Sequence, residues 1–362
     1  MKAAVYWGGG SPLRIEDVDV DAPAAREVVV RTAASGVCHS DVHRVEWSDD
    51  AEVPKILGHE ASGVVEAVGE AVTYVRPGDR VVVCTSAFCG SCESCLTGHP
   101  NRCDKSRTAR AASAPPRISK DGKPVTTLVG VGSFAERMLL HENGVVKIRR
   151  EMPLEQAALL GCSVIAGVGA VLRTARIEPG CVVAVFGCGG VGLNAVQGAR
   201  IGGARQIIAV DMIPAKLEKA MELGATHTVD ASAGDVAARV RALAWSDGGV
   251  DHAFEAIGVP SVIEQAFASL RPGGTATVIG IAREGSRITL DPRLLLGERK
   301  LQGSVMGSNR FRVDLPQYVD LYLQGRLKLD EMISHRYRLD EINDAFEAVL
   351  TGNDTRGVVV FA

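Results

Sequence analysis

Aromatic side chains make up only 4% of this chain, and no stretch of it is strongly basic. The net charge of -3 is spread along 362 residues, with nothing suited to a phosphate backbone, so nucleic acid is not an expected partner. Read by eye, no apolar run reaches the roughly 18 residues that a membrane span needs. The opening residues, MKAAVYWGGGSPLRIEDVDV, hold one lysine and no apolar leader core, so nothing marks them for secretion. Internal repeats and low-complexity tracts are missing too. The most linker-like stretch, TARAASAPPRISKDGKP (108–124), is expected as an exposed surface loop. These absences point to a cytoplasmic protein with no membrane partner. In a reducing compartment, clustered cysteines read as metal ligands rather than disulfides.

Glycine is plentiful, with 40 residues, and the length suits two domains. The first part reads as short β-branched strands, EVVVRTAASGV, ASGVVEAVGE and DRVVVC, which suit an antiparallel, barrel-like domain. From about residue 155 the rhythm changes. CVVAVFG, QIIAVD, HTVD, VDHAFEAIG and TATVIGIA (275–282) read as buried strands. Helical segments such as PAKLEKAMELG and PSVIEQAFASLRPGG lie between them. That alternation implies a doubly wound parallel sheet, making the chain α/β. Two helices and a last strand, GVVVFA, are expected beyond residue 305.

GCGGVG (187–192) follows a predicted strand and opens a helix, and Asp211 ends the next strand, 19 residues after Gly192. This is the dinucleotide-binding pattern. Gly187 permits the tight turn, Gly189 lets backbone approach a pyrophosphate, and Gly192 lets helix and strand pack closely. Gly190 and Val191 begin the helix whose free N–H groups face the phosphates. A carboxylate at Asp211 suits the ribose hydroxyls of NAD. Against the 2′-phosphate of NADP it would face a like charge, opposed by about 4 kcal/mol per unit pair at about 4 Å.

Cys89, Cys92, Cys95 and Cys103 lie within fifteen positions as C-x2-C-x2-C-x7-C. Four thiolates close a tetrahedral zinc shell with no open position, a structural site. An iron–sulfur cluster is the rival, although its usual run closes after x3 and C-P rather than x7. A working metal would need other ligands. Cys38 in GVCHSD and His59 in GHE are candidates, while Cys162 in LLGC reads as either a core cysteine or a third ligand.

These motifs, taken with GHEASGVVEAVGEAV and AVD, stand in an order and at intervals that resemble the zinc-dependent alcohol dehydrogenases of the medium-chain dehydrogenase/reductase family. The resemblance covers nearly the whole chain. It implies a GroES-like β-rich catalytic domain, residues 1–162 and 306–362, and an inserted Rossmann coenzyme domain, residues 163–305. It also joins Cys162 to Cys38 and His59 as the Cys₂His ligands of a catalytic zinc, the donor set for which alcohol dehydrogenases are the known example. Two zinc ions per chain and NAD are the implied cofactors. By the same resemblance, Ser40 takes the proton of an alcohol and His43 passes it outward. Glu60 stands behind the metal, as either a ligand or an ion-pair partner. Lys216 lies near the adenosine ribose, and His39 and Arg356 contact the pyrophosphate. Cys84, Cys181 and Cys188 match no ligand position.

The implied reaction is hydride transfer between a small alcohol, or its aldehyde or ketone, and NAD. One branch of the family oxidises the thiol adduct of formaldehyde. Arg107 matches that branch's carboxylate-binding arginine, whereas His43 occupies a position where the branch typically lacks histidine. An NAD-binding zinc protein that senses redox state without turnover is the alternative from another class. The interval after Cys103 resembles the long-loop members, which implies a homodimer, with a homotetramer as the other possibility.

Overall fold

The structure, a computed structural model, describes residues 1–47, 52–111, 113–352 and 356–362. It divides into two compact units, Met1–Cys162 with Arg310–Gly325 and Leu329–Ala362, and Ser163–Asn309 with Arg326–Lys328.

The first unit is built on β-branched strands: β1 (Lys2–Tyr6), β2 (Glu27–Gly36), β3 (Glu60–Val68), β4 (Arg80–Val83), β5 (Arg137–His141) and β6 (Val145–Lys147). In its largest sheet β6, β4, β3 and β2 pair antiparallel in that order, and the C-terminal strand Gly357–Val360 continues from β2. Val28, Val30, Ala61, Val65, Val81 and Val83 form one buried cluster on its inner face. Alternation along each strand turns every second side chain inward. α1 (His39–Glu46) leaves β2 directly, with Cys38 as its N-cap.

The stretch 108–124 is largely exposed, as expected, but is not a free loop, and its Ala112 lies outside the described residues. Ile118–Lys120 is a strand paired with Asp19–Val20, and Ile118 is buried. Arg110 and Arg117 both bond the carboxylate of buried Glu27. Two guanidinium groups on one buried acid pin the segment, and its polar composition gave no sign of this.

The second unit holds six parallel strands: β7 (Val182–Phe186), β8 (Gln206–Asp211), β9 (His227–Asp230), β10 (Val250–Glu255), β11 (Leu270–Val278) and β12 (Lys300–Gly303). Their order is β9-β8-β7-β10-β11-β12. The crossovers carry α2 (Gly190–Ile201), α3 (Pro214–Leu223), α4 (Val236–Leu243) and α5 (Pro260–Ala268). β7 is buried at every position because both sheet faces are covered, which explains its unbroken apolar run. The order reverses between β7 and β10, and dinucleotides bind at such a switch point. β11 starts earlier than expected, at Leu270, and stops at Val278. Ile279 and Gly280 leave the sheet because their amides turn to the Glu255 carbonyl.

One expectation is corrected. The helical run Leu154–Ala175 is 22 residues long, with a mean hydropathy of 1.7 in its most apolar window, long and apolar enough to cross a membrane. Protein covers 83% of that window, so core packing accounts for its composition.

Candidate active site

The four-cysteine loop brings Cys89, Cys92, Cys95 and Cys103 together with every sulfur within 4.8 Å of the others. The Cys89–Cys95 and Cys92–Cys103 sulfur pairs are 3.9 and 3.8 Å apart. Four thiolates around one tetrahedral zinc, at about 2.3 Å each, would be about 3.8 Å apart. The donor set fits a single ion; a multi-iron cluster would spread the sulfurs further. Amides of the same loop already point at them: Ser91 and Cys92 donate to Cys89 Sγ, and Cys89 and Lys105 donate to Cys103 Sγ. Bonds from the Ser91 amide and hydroxyl draw Cys89 down to about 6. Burial, with neighbouring thiols adding to it, pushes Cys95 up to about 12. Thiols this close cannot all ionise unless a cation sits among them.

Cys38, His59 and Cys162 form the second set, all buried, with donor atoms within 4.8 Å of one another. Asp41, the third residue of α1, is fully buried and organises them. Its Oδ2 accepts from the Cys38 amide at 3.2 Å. Its Oδ1 accepts from the Gly58 amide at 2.9 Å and faces His59 Nδ1 at 2.9 Å. A carboxylate on Nδ1 leaves Nε2 of His59 for a metal, the usual carboxylate–histidine arrangement. Asp41 was visible in GVCHSD but carried no role in the sequence reading. A hydrogen bond from the Cys162 thiol, with His59 and Arg356 adding to it, holds Cys38 well below the usual thiol range. The Cys38 thiolate and burial push Cys162 up in turn. Burial alone would lower His59; the Asp41 carboxylate and Cys38 outweigh it and raise the imidazole. Two sulfurs and one nitrogen leave a fourth position free, and the donors fit an open zinc site.

Ser40 Oγ lies 3.2 Å from both Cys38 Sγ and His59 Nε2. His43, one turn further along α1, stacks on Trp47 at 4.3 Å and meets His39 edge-on at 5.7 Å. Half-burial lowers its pKa below the ordinary imidazole value. Glu60 is fully buried, and Gly36 opposite it leaves room for the carboxylate, since a Cβ there would lie 2.5 Å from Glu60 Oε2. Arg356 is 5% exposed, pairs with Glu60 at 3.2 Å and donates to the Val37 carbonyl at 2.8 Å. Arg107, by contrast, is exposed and donates to Ser91 Oγ at 2.8 Å.

In the second unit, Gly187 has φ +91°, a turn that few side chains tolerate, and a Cβ on Gly192 would run into the Gly187 carbonyl. Gly189 faces open space, with nothing within 4 Å of its would-be Cβ. The N-terminus of α2, at Gly190, Val191 and Gly192, follows immediately, so the cradle fits a pyrophosphate. Asp211 accepts from the Cys188 and Ile213 amides at 2.7 and 3.0 Å. Each carboxylate oxygen keeps a further lone pair for ribose hydroxyls. Lys216 sits in the first turn of α3, where its charge acts on Cys188. Burial pushes Cys181 and Cys188 up to about 11 and about 12; Cys188 is a buried, inert thiol, whereas Cys181 is only half-buried.

Comparison with known proteins agrees with this geometry. The zinc-binding dehydrogenase family model matches residues 190–324, and the alcohol dehydrogenase GroES-like domain model matches residues 24–150. Alcohol dehydrogenase class-3 of Pisum sativum is 38% identical over 365 residues, covering 99% of this chain and 97% of that protein. S-(hydroxymethyl)glutathione dehydrogenase of Haemophilus influenzae is 40% identical over 364 residues, covering 99% and 96%. Among solved structures, benzyl alcohol dehydrogenase from Acinetobacter calcoaceticus matches with a TM-score of 0.92 at 32% identity, covering 100% of this chain and 99% of that one. The chain therefore belongs to the zinc-dependent alcohol dehydrogenases of the medium-chain dehydrogenase/reductase family. It is an NAD(H)-dependent zinc dehydrogenase.

Proposed function

We propose that the protein oxidises alcohols with NAD and reduces the corresponding aldehydes or ketones in the reverse direction. Two zinc ions per chain are part of this reading. Cys89, Cys92, Cys95 and Cys103 hold one as scaffold, and Cys38, His59 and Cys162 hold the other with a position left open. Zinc at the open centre supplies Lewis acidity, which brings the ionisation of an alcohol toward neutral pH. Ser40 receives the alcohol proton in this reading, which its 3.2 Å distance from two of the donor atoms supports. His43 carries that proton outward from the same helix face. Its lowered pKa keeps the ring neutral, and so able to accept, at pH 7. Through Nη1, Arg356 acts in this reading as the countercharge of Glu60, and its pyrophosphate contact is kept as part of the proposal. Asp211 selects NAD, with Lys216 and His39 as further cofactor contacts.

The observation that carries the proposal is the hydroxyl of Ser40 set against an incomplete donor triad. The test is metal analysis together with an alcohol panel read by NADH absorbance, with NAD and NADP in parallel. The expected result is about two zinc ions per chain and turnover of alcohols with NAD. Both metals present without turnover of any alcohol would overturn the reading in favour of a redox sensor. A second reading, oxidation of a formaldehyde–thiol adduct, is favoured by the names of the class-3 and S-(hydroxymethyl)glutathione relatives. Against it, Arg107 is tied to Ser91. Preference for the adduct within the panel would decide for the second reading.

A further inference from the structure

Glu255, the last residue of β10, is 1% exposed. Its Oε1 accepts from the Ile257 and Gly258 amides at 2.8 and 2.7 Å. Its carbonyl accepts from the Ile279 and Gly280 amides at 2.7 and 3.1 Å. One residue thus ties the turn after β10 to the turn after β11. The two turns touch backbone to backbone: a Cβ on Gly258 would strike the Ile281 main chain, and one on Gly280 would strike the Gly258 amide. Ile257 also lies against the glycine-rich loop, since a Cβ on Gly187 would sit 2.5 Å from Ile257 Cγ1.

The other carboxyl oxygen, Oε2, is buried with no hydrogen-bond partner among the described residues. Burial raises the group above the usual carboxylate range, partly offset by the backbone amides, and so favours the neutral acid. An unpaired buried polar atom is costly, and such costs concentrate at functional sites. The location supplies a function. A dinucleotide lies across the strand ends at the switch point, and Asp211 on β8 marks the adenosine side. The other mononucleotide then falls beyond β10 and β11. There Ile257, Val259 and Ile281 are 45%, 42% and 59% exposed, an apolar rim suited to a flat ring.

We propose that Glu255 is a positioning residue for the nicotinamide half of NAD, acting through the two turns it clamps. The proposal rests on reading this unit as the NAD site. Calorimetric binding of NADH and of ADP-ribose, which lacks the nicotinamide, to the zinc-loaded enzyme separates the two ideas. Glu255→Ala is expected to weaken NADH about 10- to 100-fold, the loss of a buried hydrogen-bonding clamp. ADP-ribose should change by less than about threefold, and Glu255→Gln, which keeps shape and acceptor, should restore NADH to within about threefold. Equal weakening of both ligands in Glu255→Ala, or unchanged NADH binding, overturns the proposal. Should the alanine protein fail to fold, Glu255→Asp, which draws the carboxyl back by one methylene, carries the same comparison. Wild-type enzyme that binds neither ligand would instead sink the NAD reading itself, and the proposal with it.

Discussion

Cys89, Cys92, Cys95 and Cys103 meet within fifteen residues of one loop, largely half-exposed, with sulfurs held by amides of that same loop. Cys38, His59 and Cys162 come from a helix start, a turn before a strand and a long buried helical run, and all three are buried. The first set is local and needs little from the rest of the chain. In the proposed reading a loop with so little core would take its shape from the ion, so that metal-binding energy there would be folding energy. The second set is long-range, with Asp41 and the Glu60–Arg356 pair buried around it. There, in the proposed reading, an ion would add little to stability and much to reactivity. On that reading, distance along the chain would separate the scaffold from the working centre.

The contrast can be broken most sharply at Cys89. Cys89→Ser should forfeit about 10 kcal/mol of metal-binding energy. Zinc should drop by about one per chain, and limited proteolysis should cut within residues 88–111; an intact, uncut loop would erase the distinction. Cys162→Ser should also cost about one zinc, but with turnover down about a thousandfold, about 4 kcal/mol in the barrier. Its thermal midpoint should move by only a few degrees (about 2–4 °C). Glu27→Gln asks whether ion pairs rather than metal hold the neighbouring 108–124 segment. It should destabilise by about 3 kcal/mol with zinc content unchanged.

The same residue fixes a pH dependence. Burial would raise the Glu27 carboxyl, but its bonds to Arg110, the Ala24 amide and Arg117 hold it down at about 2. A carboxyl lowered in the folded state contributes fully above its ordinary value of about 4.5, and the contribution drains away as pH falls toward about 2. Acid unfolding of wild type should therefore steepen across that window, and Glu27→Gln should flatten it. Smallest of all, Asp41→Asn should weaken zinc about 10- to 100-fold at the open centre alone. A chelator titration would then show two separated steps.

The local features were legible in the sequence for the same reason that the scaffold is local. The four-cysteine spacing and GCGGVG with Asp211 are short patterns whose chemistry is complete within a few residues. The buried parallel strands were equally plain, because a strand covered on both faces must read as continuous Val, Ile and Ala. Cys162 could be joined to Cys38 and His59 only through family resemblance, since no spacing rule spans a hundred residues. Asp41 and Glu255 were overlooked because burial, which gives each its role, has no signature in a single acidic residue. The pinning of the 108–124 segment was overlooked for a related reason: its arginines reach Glu27, more than eighty positions away.

The Glu60–Arg356 pair has a consequence for biosynthesis. Arg356 emerges from the ribosome long after Glu60, and until it does, a carboxylate destined for the interior lacks its countercharge. Ribosome-tethered fragments ending near residue 250, which carry Cys38, His59 and Cys162 but not Arg356, should load zinc on the four-cysteine loop alone. In the proposed reading the open centre would then take up its metal only after the C-terminal strand has paired, so a nascent enzyme would be braced before it is armed.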